Sequence, residues 1–237
     1  MDRKLLRESI KMSQSSAPRI CSSCGKYPVY MNGELCLECI DLKQKEDAKQ
    51  ARIKNAEQYM TRWGFPKKFI GWEKGKLLPV LQKLLDKCIT EKGLFLTGTL
   101  GAGKTCFASV LGKELIRTEK DVWFKNVTDL LFEVKGTFDK ENNIFNDYEI
   151  ICQWAGKPHL ILDDLGAEKV SEYVRQSLYV LINKRYLEDL PTIVTSNLTL
   201  DEIANRLDDR IASRLTEMCR VVHLGNKDLR VYEGGQT

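Results

Sequence analysis

The feature that most constrains the fold is a glycine-rich run at residues 98–105, Gly-Thr-Leu-Gly-Ala-Gly-Lys-Thr. It follows a short apolar segment, residues 94–96, and precedes a helix-compatible stretch from Cys106 to Arg117. Between a strand and a helix, the spacing G-x-x-x-x-G-K-[ST] is typical of a loop whose backbone N–H groups surround phosphate oxygens. Lys104 would place a positive charge at the β- and γ-phosphates, and the Thr105 hydroxyl would ligate Mg²⁺. The run therefore predicts a site for a nucleoside triphosphate, taken to be ATP. Further nucleotide contacts are expected from Gly98, Gly101, Ala102, Gly103 and Cys106.

Length and composition limit the class of protein. The chain has 237 residues, of which 43% are hydrophobic and 30% charged, so we expect a packed domain together with a smaller module. The net charge of +4 permits contact with nucleic acid but does not indicate it. The charged residues at positions 1–12 do not resemble a signal peptide, and no run approaches the roughly 20 apolar residues of a membrane helix. We expect a cytoplasmic protein without membrane contact.

Four cysteines near the amino terminus form two Cys-x-x-Cys pairs. Cys21 and Cys24 make the first pair, and Cys36 and Cys39 make the second, with 11 residues between the pairs. Two such pairs joined by a turn-rich loop can place four thiolates tetrahedrally around Zn²⁺. Two disulfides and a redox pair are the alternatives; the expected compartment counts against the first, and the lack of a surrounding βαβ pattern against the second. The spacing predicts a structural zinc module in residues 1–40 that docks a partner protein.

The rest of the chain is predicted to form a linker helix and an α/β domain. Residues 41–65 mix both charge signs with good helix formers and end at Gly-Phe-Pro, which predicts a linker helix. Residues 66–237 alternate helical and strand patterns, which indicates a central, mostly parallel sheet. The clearest helical pattern covers Ser171 to Glu188. The predicted strands are Leu94–Thr97, Val122–Lys125, Leu160–Asp163, Thr192–Thr195 and Val221–Leu224.

Two carboxylates follow one of these predicted strands. The apolar residues 160–162 lead directly into Asp163 and Asp164. Ligands of open α/β sheets bind at the carboxyl ends of the strands, so both side chains are expected near the phosphate loop. We predict that Asp163 holds Mg²⁺, directly or through water, and that Asp164 orients and deprotonates the attacking water.

Three polar side chains further along the chain are candidates for contact with the γ-phosphate. Asn197 follows a β-branched strand and can offer its amide to the phosphate, although an asparagine there can also cap the next helix. Arg210 and Arg214 have i, i+4 spacing and share one helix face. Such an arginine can stabilise the charge that develops on a neighbouring subunit's γ-phosphate. The alternative is a solvated pair, or pairing with Asp208 and Asp209.

The ordered set of motifs resembles the DnaC/DnaI/IstB branch of the AAA+ ATPases over residues 94–230. The matching pieces are GTLGAGKT, LILDDLGAEK, LYVLINKRY, PTIVTSNL, DRIASRL and DLR. The resemblance implies an AAA+ P-loop ATPase that self-associates through its ATP sites. It also implies action on single-stranded DNA and on a replicative helicase or a transposase.

The resemblance assigns family roles to particular positions. Lys104 and Thr105 match the Walker A motif, Asp163 and Asp164 match Walker B, and Asn197 matches sensor 1. Arg214 matches the arginine finger, Arg210 a supporting arginine, and Arg230 sensor 2. Asp164 stands where many AAA+ proteins carry glutamate. Its shorter side chain predicts slow hydrolysis stimulated by a partner.

The leading hypothesis is an ATP-dependent DNA replication protein that loads a replicative DNA helicase onto single-stranded DNA. An IstB-like transposition helper is one alternative, and a DNA- or protein-binding module stabilised by nucleotide with negligible turnover is another. The cysteine module favours the loader, because DnaI-type loaders resemble this layout, with a metal-binding domain that docks the helicase. Basic residues expected to be exposed, and so candidates for DNA contact, are Lys113, Arg117 and Lys120.

Overall fold

The computed structural model describes residues 20–27, 29, 34–136 and 146–225. The chain divides into two compact units, Met1–Ala51 and Arg52–Thr237. The first contains the four cysteines and most of helix α1, Leu37–Lys54. A second helix, α2 at Ala56–Arg62, follows a break at Asn55, so the predicted linker at residues 41–65 contains two helices rather than one.

The second unit alternates helices and strands, as expected for an α/β domain. Its remaining elements are α3 (Lys67–Ile70), a 3₁₀ turn (Lys74–Lys76), α4 (Pro79–Cys88), β1 (Gly93–Thr97), α5 (Lys104–Arg117), β2 (Val122–Asn126), α6 (Val127–Lys135), α7 (Asp147–Ala155), β3 (His159–Leu165), α8 (Glu172–Leu187), β4 (Thr192–Ser196), α9 (Leu200–Arg206), α10 (Asp209–Met218) and β5 (Arg220–His223). All five predicted strands are confirmed, each within two residues of its predicted bounds. The helix predicted from Ser171 to Glu188 is confirmed as α8, with those two residues as its caps.

The five strands form one parallel sheet in the order β2-β3-β4-β1-β5. Strands β1 and β4 are buried along their whole length, which explains why they appear in the sequence as unbroken apolar or β-branched runs. Because the strands are parallel, the carboxyl ends of β1, β3 and β4 meet at one edge of the sheet. The glycine-rich loop follows β1, the paired aspartates lie near the end of β3, and Asn197 follows β4.

Helices cover both faces of the sheet with separate apolar cores. Leu94 and Leu96 of β1 join the core beneath α2, α4 and α5, whereas Phe95 joins the core beneath α6 to α10. On the first face, the Phe65 ring lies against Gly112 of α5, where an added Cβ would lie 2.6 Å from that ring. This contact holds the residues after α2 against the helix that follows the glycine-rich loop. Among the described residues, no helix is both long and apolar enough to cross a membrane.

Candidate nucleotide-binding site

The glycine-rich loop has the backbone conformation that its sequence predicts. Gly98, Gly101 and Gly103 have φ values of +153°, +81° and +79°, in the region that favours glycine. Gly103 is also the N-cap of α5, and as a glycine it has no side chain with which to cap this helix. The backbone N–H groups at the start of α5, together with the positive end of the helix dipole, suit a phosphate.

Lys104 joins this loop to the end of strand β4. Its ammonium, which is buried, donates to the carbonyl oxygens of Gly98 and Thr99, each at 2.8 Å, and to Asn197 Oδ1 at 2.6 Å. Lys104 and Asn197, which are 93 residues apart in sequence, are thus brought into direct contact. The contact places the side-chain amide of Asn197 beside the loop that is predicted to hold the phosphates.

An irregularity in β3 brings both aspartates to the same edge of the sheet. The register between β3 and β4 shifts between Leu162 and Leu165, and Asp164 has a left-handed φ of +63°. In a regular strand, successive side chains point to opposite faces. The local bulge changes the direction of the second carboxylate.

Asp163 and Thr105 form an oxygen pair suited to Mg²⁺. Burial raises the pKa of Asp163, whereas the hydroxyl groups of Thr195 and Thr105, which hydrogen-bond to its carboxylate, lower it. The Thr195 hydroxyl donates to Asp163 Oδ1 at 2.8 Å. A carboxylate and a hydroxyl next to a phosphate site are ligands that Mg²⁺ accepts together with water. The donor set therefore fits the predicted metal.

Asn197 connects the phosphate loop to the second aspartate. While its Oδ1 accepts from Lys104, its Nδ2 donates to Asp164 Oδ1 at 2.9 Å. The backbone N–H of Asp164 donates to Thr195 Oγ1 at 2.9 Å. Thr195 thus binds both aspartates, a role that the strand pattern did not predict. Its only signal in the sequence is a hydroxyl residue two positions before Asn197.

The two candidate arginines lie on α10 and pack against α8. Arg210 forms an ion pair with Asp208 at 2.8 Å, as the alternative interpretation expects, and lies 4.3 Å from the centre of the Tyr179 ring. Arg214 donates to Asn183 Oδ1 at 2.6 Å and to the Tyr179 hydroxyl at 3.2 Å. None of these partners belongs to the glycine-rich loop or to the ends of β3 and β4. The predicted sensor 2 residue, Arg230, lies outside the described residues.

One of the basic candidates for DNA contact is wrongly predicted. Lys113 is 1% exposed, because its ammonium binds Glu57 of α2 and Glu73, which follows α2 in the chain. Arg117 is partly buried and pairs with Glu73 and Glu114. Only Lys120 is exposed. The prediction that Lys113 is exposed failed because helix α5 is covered by other parts of the domain on more sides than an amphipathic surface helix is.

The four cysteines of the first unit form a separate candidate metal site. Their Sγ atoms all lie within 4.8 Å of one another, and those of Cys24 and Cys36 are 3.8 Å apart. Tetrahedral zinc with bonds of about 2.3 Å requires sulfur atoms roughly 3.8 Å apart. The geometry fits the predicted zinc ligands.

Four features define a P-loop nucleotide-binding protein of the AAA+ type: the order of the parallel sheet, the phosphate loop before α5, the carboxylates near the end of β3 and the amide after β4. A family model described as "IstB-like ATP binding protein" matches residues 78–236. The chain belongs to this family.

Several proteins that are similar to this chain are named as helicase loaders. The replicative helicase loader DnaI of Bacillus subtilis (strain 168) is 30% identical over 113 residues, which are 47% of this chain and 35% of DnaI. The replicative helicase loader DnaC of Buchnera aphidicola subsp. Schizaphis graminum is 28% identical over 119 residues, 50% of this chain and 48% of DnaC. The chain thus spans less than half the length of these relatives. A crystal structure of the DnaC helicase loader is similar, with a TM-score of 0.58 and 26% identity over 68% of this chain and 100% of that one.

Proposed function

We propose that this protein is an ATP-dependent loader that delivers a replicative DNA helicase onto single-stranded DNA. The observation that carries the ATP dependence of the proposal is the chain of hydrogen bonds from Lys104 through Asn197 to Asp164, which joins the phosphate loop to the predicted water-orienting carboxylate. Membership of an ATP-binding family and similarity to proteins named helicase loaders support it.

The geometry supports a division of roles in ATP hydrolysis. The N-terminus of α5 and Lys104 hold the β- and γ-phosphates, and Thr105 with Asp163 holds Mg²⁺. When bound, Mg²⁺ offsets the negative charge on the phosphate oxygens. Asp164 orients a water molecule and accepts its proton as the oxygen attacks the γ-phosphorus and ADP leaves. Asn197, held by Lys104, keeps Asp164 in place and detects the γ-phosphate.

Arg214 is the better candidate for an arginine finger in a neighbouring copy of the chain. Arg210 is neutralised by Asp208, whereas the hydrogen-bond acceptors of Arg214 are Asn183, the Tyr179 hydroxyl and a backbone carbonyl. In the part of the chain that the structure describes, no carboxylate forms an ion pair with Arg214. Its charge thus remains available for a γ-phosphate, with Arg210 in support. This role implies self-association through the ATP sites.

The cysteine site favours the loader over a transposition helper. The family description, IstB-like, keeps the second candidate open. A small zinc-bound module at the amino-terminal end suits docking to a partner protein, which we propose is the helicase. The two functions differ in the DNA that they need, since a loader requires single strands and a transposition helper selects duplex.

A loading assay tests the proposal. The host's replicative helicase would be supplied with circular single-stranded DNA carrying an annealed oligonucleotide. Release of the oligonucleotide would be measured with and without this protein. We expect release to require ATP and wild-type protein, to be lost with Lys104→Ala, and to be unchanged with Lys83→Ala, an exposed lysine of α4. ATP-dependent binding to duplex, with no stimulation of the helicase, would contradict the loader and favour the transposition helper.

A further inference from the structure

The segment that carries Asp164 is a tight turn with unusual backbone geometry. We call residues 164–168 the Asp164 turn. Asp164 has φ of +63° and Gly166 has φ of +90°. A residue with a side chain is uncommon in the left-handed region and stays there only where its surroundings hold it. The direction of the Asp164 carboxylate therefore depends on the contacts that fix this turn.

Strand β4 holds one side of the Asp164 turn. The Thr195 hydroxyl accepts from the N–H of Asp164 at 2.9 Å, and the Ser196 hydroxyl donates to the carbonyl of Leu165 at 2.6 Å. A Cβ on Gly166 would lie only 2.6 Å from Leu198 Cδ1, so the turn lies tightly against the residues after β4. These contacts fix the beginning of the turn.

Glu168 holds the other side of the turn. Its Oε2 accepts the N–H of Gly166 at 3.0 Å, and Arg206 of α9 donates to its backbone carbonyl at 3.3 Å. The residue is 5% exposed, which is rare for a glutamate. Within the described residues its Oε1 is buried and has no hydrogen-bond partner.

Burying a carboxylate with one oxygen unpaired costs stability, so stability alone does not explain this side chain. Among the described residues, the one hydrogen bond of its side chain is to the backbone of the turn that presents Asp164. We propose that Glu168 is a positioning residue for ATP hydrolysis: by holding the Gly166 N–H, it fixes the turn that directs Asp164 at the attacking water. The proposal rests on the function proposed above for Asp164.

Three substitutions at Glu168 separate positioning from a general structural role. Glu168→Gln keeps an oxygen that can accept the Gly166 N–H, Glu168→Asp keeps the charge but is one methylene too short, and Glu168→Leu removes the acceptor. We expect Gln to keep kcat within about twofold of wild type, and Leu to lower it roughly 10- to 100-fold, since a misplacement of about 1 Å can cost a hundredfold. The kcat of Glu168→Asp should lie between those of Glu168→Gln and Glu168→Leu. The Kd of a fluorescent ATP analogue should change by no more than about twofold in all three, because none of them alters the phosphate loop.

Glu188→Leu, at an exposed position after α8, is the matched control and should leave both quantities unchanged. Wild-type kcat in Glu168→Leu, or an equal loss in Glu168→Gln and Glu168→Leu, overturns the proposal. If Glu168→Leu does not fold, Glu168→Asp and Glu168→Gln still differ in their expected kcat, which should fall in Glu168→Asp and stay near wild type in Glu168→Gln.

A second measurement separates this inference from the proposed loader function. The affinity for ADP–aluminium fluoride, divided by that for ADP, reports the hydrolytic geometry without helicase or DNA. We expect wild type and Glu168→Gln to share a high ratio, which falls in Glu168→Asp and in Asp164→Asn. That pattern supports Glu168 as a positioning residue even if helicase loading fails. A ratio near one in the wild-type protein would overturn both the hydrolytic site and the role of Glu168.

Discussion

At the scale of single residues, the most strongly buried charge in the described part of the chain belongs to Arg185 of α8. Its side chain is fully buried, and its guanidinium donates to Thr192 Oγ1 at 2.8 Å and to the carbonyls of Ala155, Lys157 and Pro191 at 2.7, 2.7 and 2.6 Å. Burial lowers its pKa to about 10, so the group stays charged at neutral pH. One side chain thus satisfies three carbonyls around the starts of β3 and β4.

We expect Arg185→Leu to lower the free energy of unfolding by about 2–4 kcal/mol, because the three carbonyls lose their donor in a buried place. Urea denaturation followed by circular dichroism measures the change. Lys184→Met, the preceding residue, provides the control; its partly exposed ion pair with Glu188 should contribute no more than about 1 kcal/mol. Equal losses in the two variants would show that Arg185 is not a special anchor.

Sequence reasoning was strongest where one motif contains all the chemistry. The phosphate loop lies within eight consecutive residues, so its spacing alone predicts the conformation that it needs, and the position of the paired aspartates near the end of a strand is likewise local. Thr195, by contrast, binds Asp163 across 32 residues, and Glu168 acts through a backbone N–H in a turn whose shape comes from a bulge. No local pattern encodes such contacts. The catalytic roles themselves stay predictions.

At the scale of elements, a buried lysine ties helix α5 to α2 and to the residues that follow α2. The ammonium of Lys113 donates to Glu57 Oε1 at 2.8 Å, to Glu73 Oε1 at 2.6 Å and to the carbonyl of Ile70 at 3.0 Å. Glu57 and Glu73 are partly exposed, whereas Lys113 is not. Because α5 begins at the phosphate loop, this cluster connects the loop's helix to residues 57–73.

We expect Lys113→Met to fill the same space while leaving the carbonyl acceptors without a donor, and to lower the free energy of unfolding by about 1–3 kcal/mol. Amide hydrogen exchange should speed up in residues 57–73, because these residues lose their attachment to α5. Lys83→Met, at an exposed position on α4, should change neither quantity. Unaltered exchange in residues 57–73 of Lys113→Met would mean that apolar contacts such as Phe65 on Gly112 hold them instead.

Regular elements were predictable because their signals are local. The apolar runs of the strands and the caps of α8, where the Ser171 hydroxyl accepts the N–H of Val174, are present in the sequence itself. The break between α1 and α2 at Asn55 was not predicted, because it contains neither glycine nor proline. The bulge in β3 was also missed, since it depends on the pairing of β3 with β4.

At the scale of the whole molecule, the two units have different sources of stability. The second has apolar cores on both faces of its sheet, whereas the first has buried cysteines and a charged helix. A module of this size has little apolar surface to bury, so we predict that a bound metal contributes to its folding free energy.

We therefore expect one zinc per chain by elemental mass spectrometry, and none in a Cys36→Ser, Cys39→Ser variant. Chelation should speed hydrogen exchange in residues 20–39 and leave ATP affinity unchanged, since the nucleotide site belongs to the second unit. Cys152→Ser, outside the cysteine cluster, should retain the metal. A chain that carries no zinc but shows the same protection in residues 20–39 would contradict the metal site.

Assembly through the ATP sites predicts that two inactive variants of the chain restore hydrolysis when they are mixed. If Arg214 completes the site of a neighbouring copy, Arg214→Ala keeps its ATP site but lacks the finger, and Asp164→Asn keeps the finger but lacks the water-orienting carboxylate. Loss of an arginine finger lowers hydrolysis by about 10³-fold or more, so each variant alone should be nearly inactive while still binding ATP.

An equal mixture should regain activity, because roughly a quarter of the interfaces in a random assembly pair an intact site with an intact finger. Hydrolysis by the mixture, measured as phosphate release, should therefore exceed the sum of the separate rates. The control replaces Asp164→Asn with the double variant Asp164→Asn, Arg214→Ala, which supplies no finger and should restore nothing. If the first mixture also stays at the sum of its parts, Arg214 acts within its own chain, and its contacts with Asn183 and Tyr179 are then its whole role.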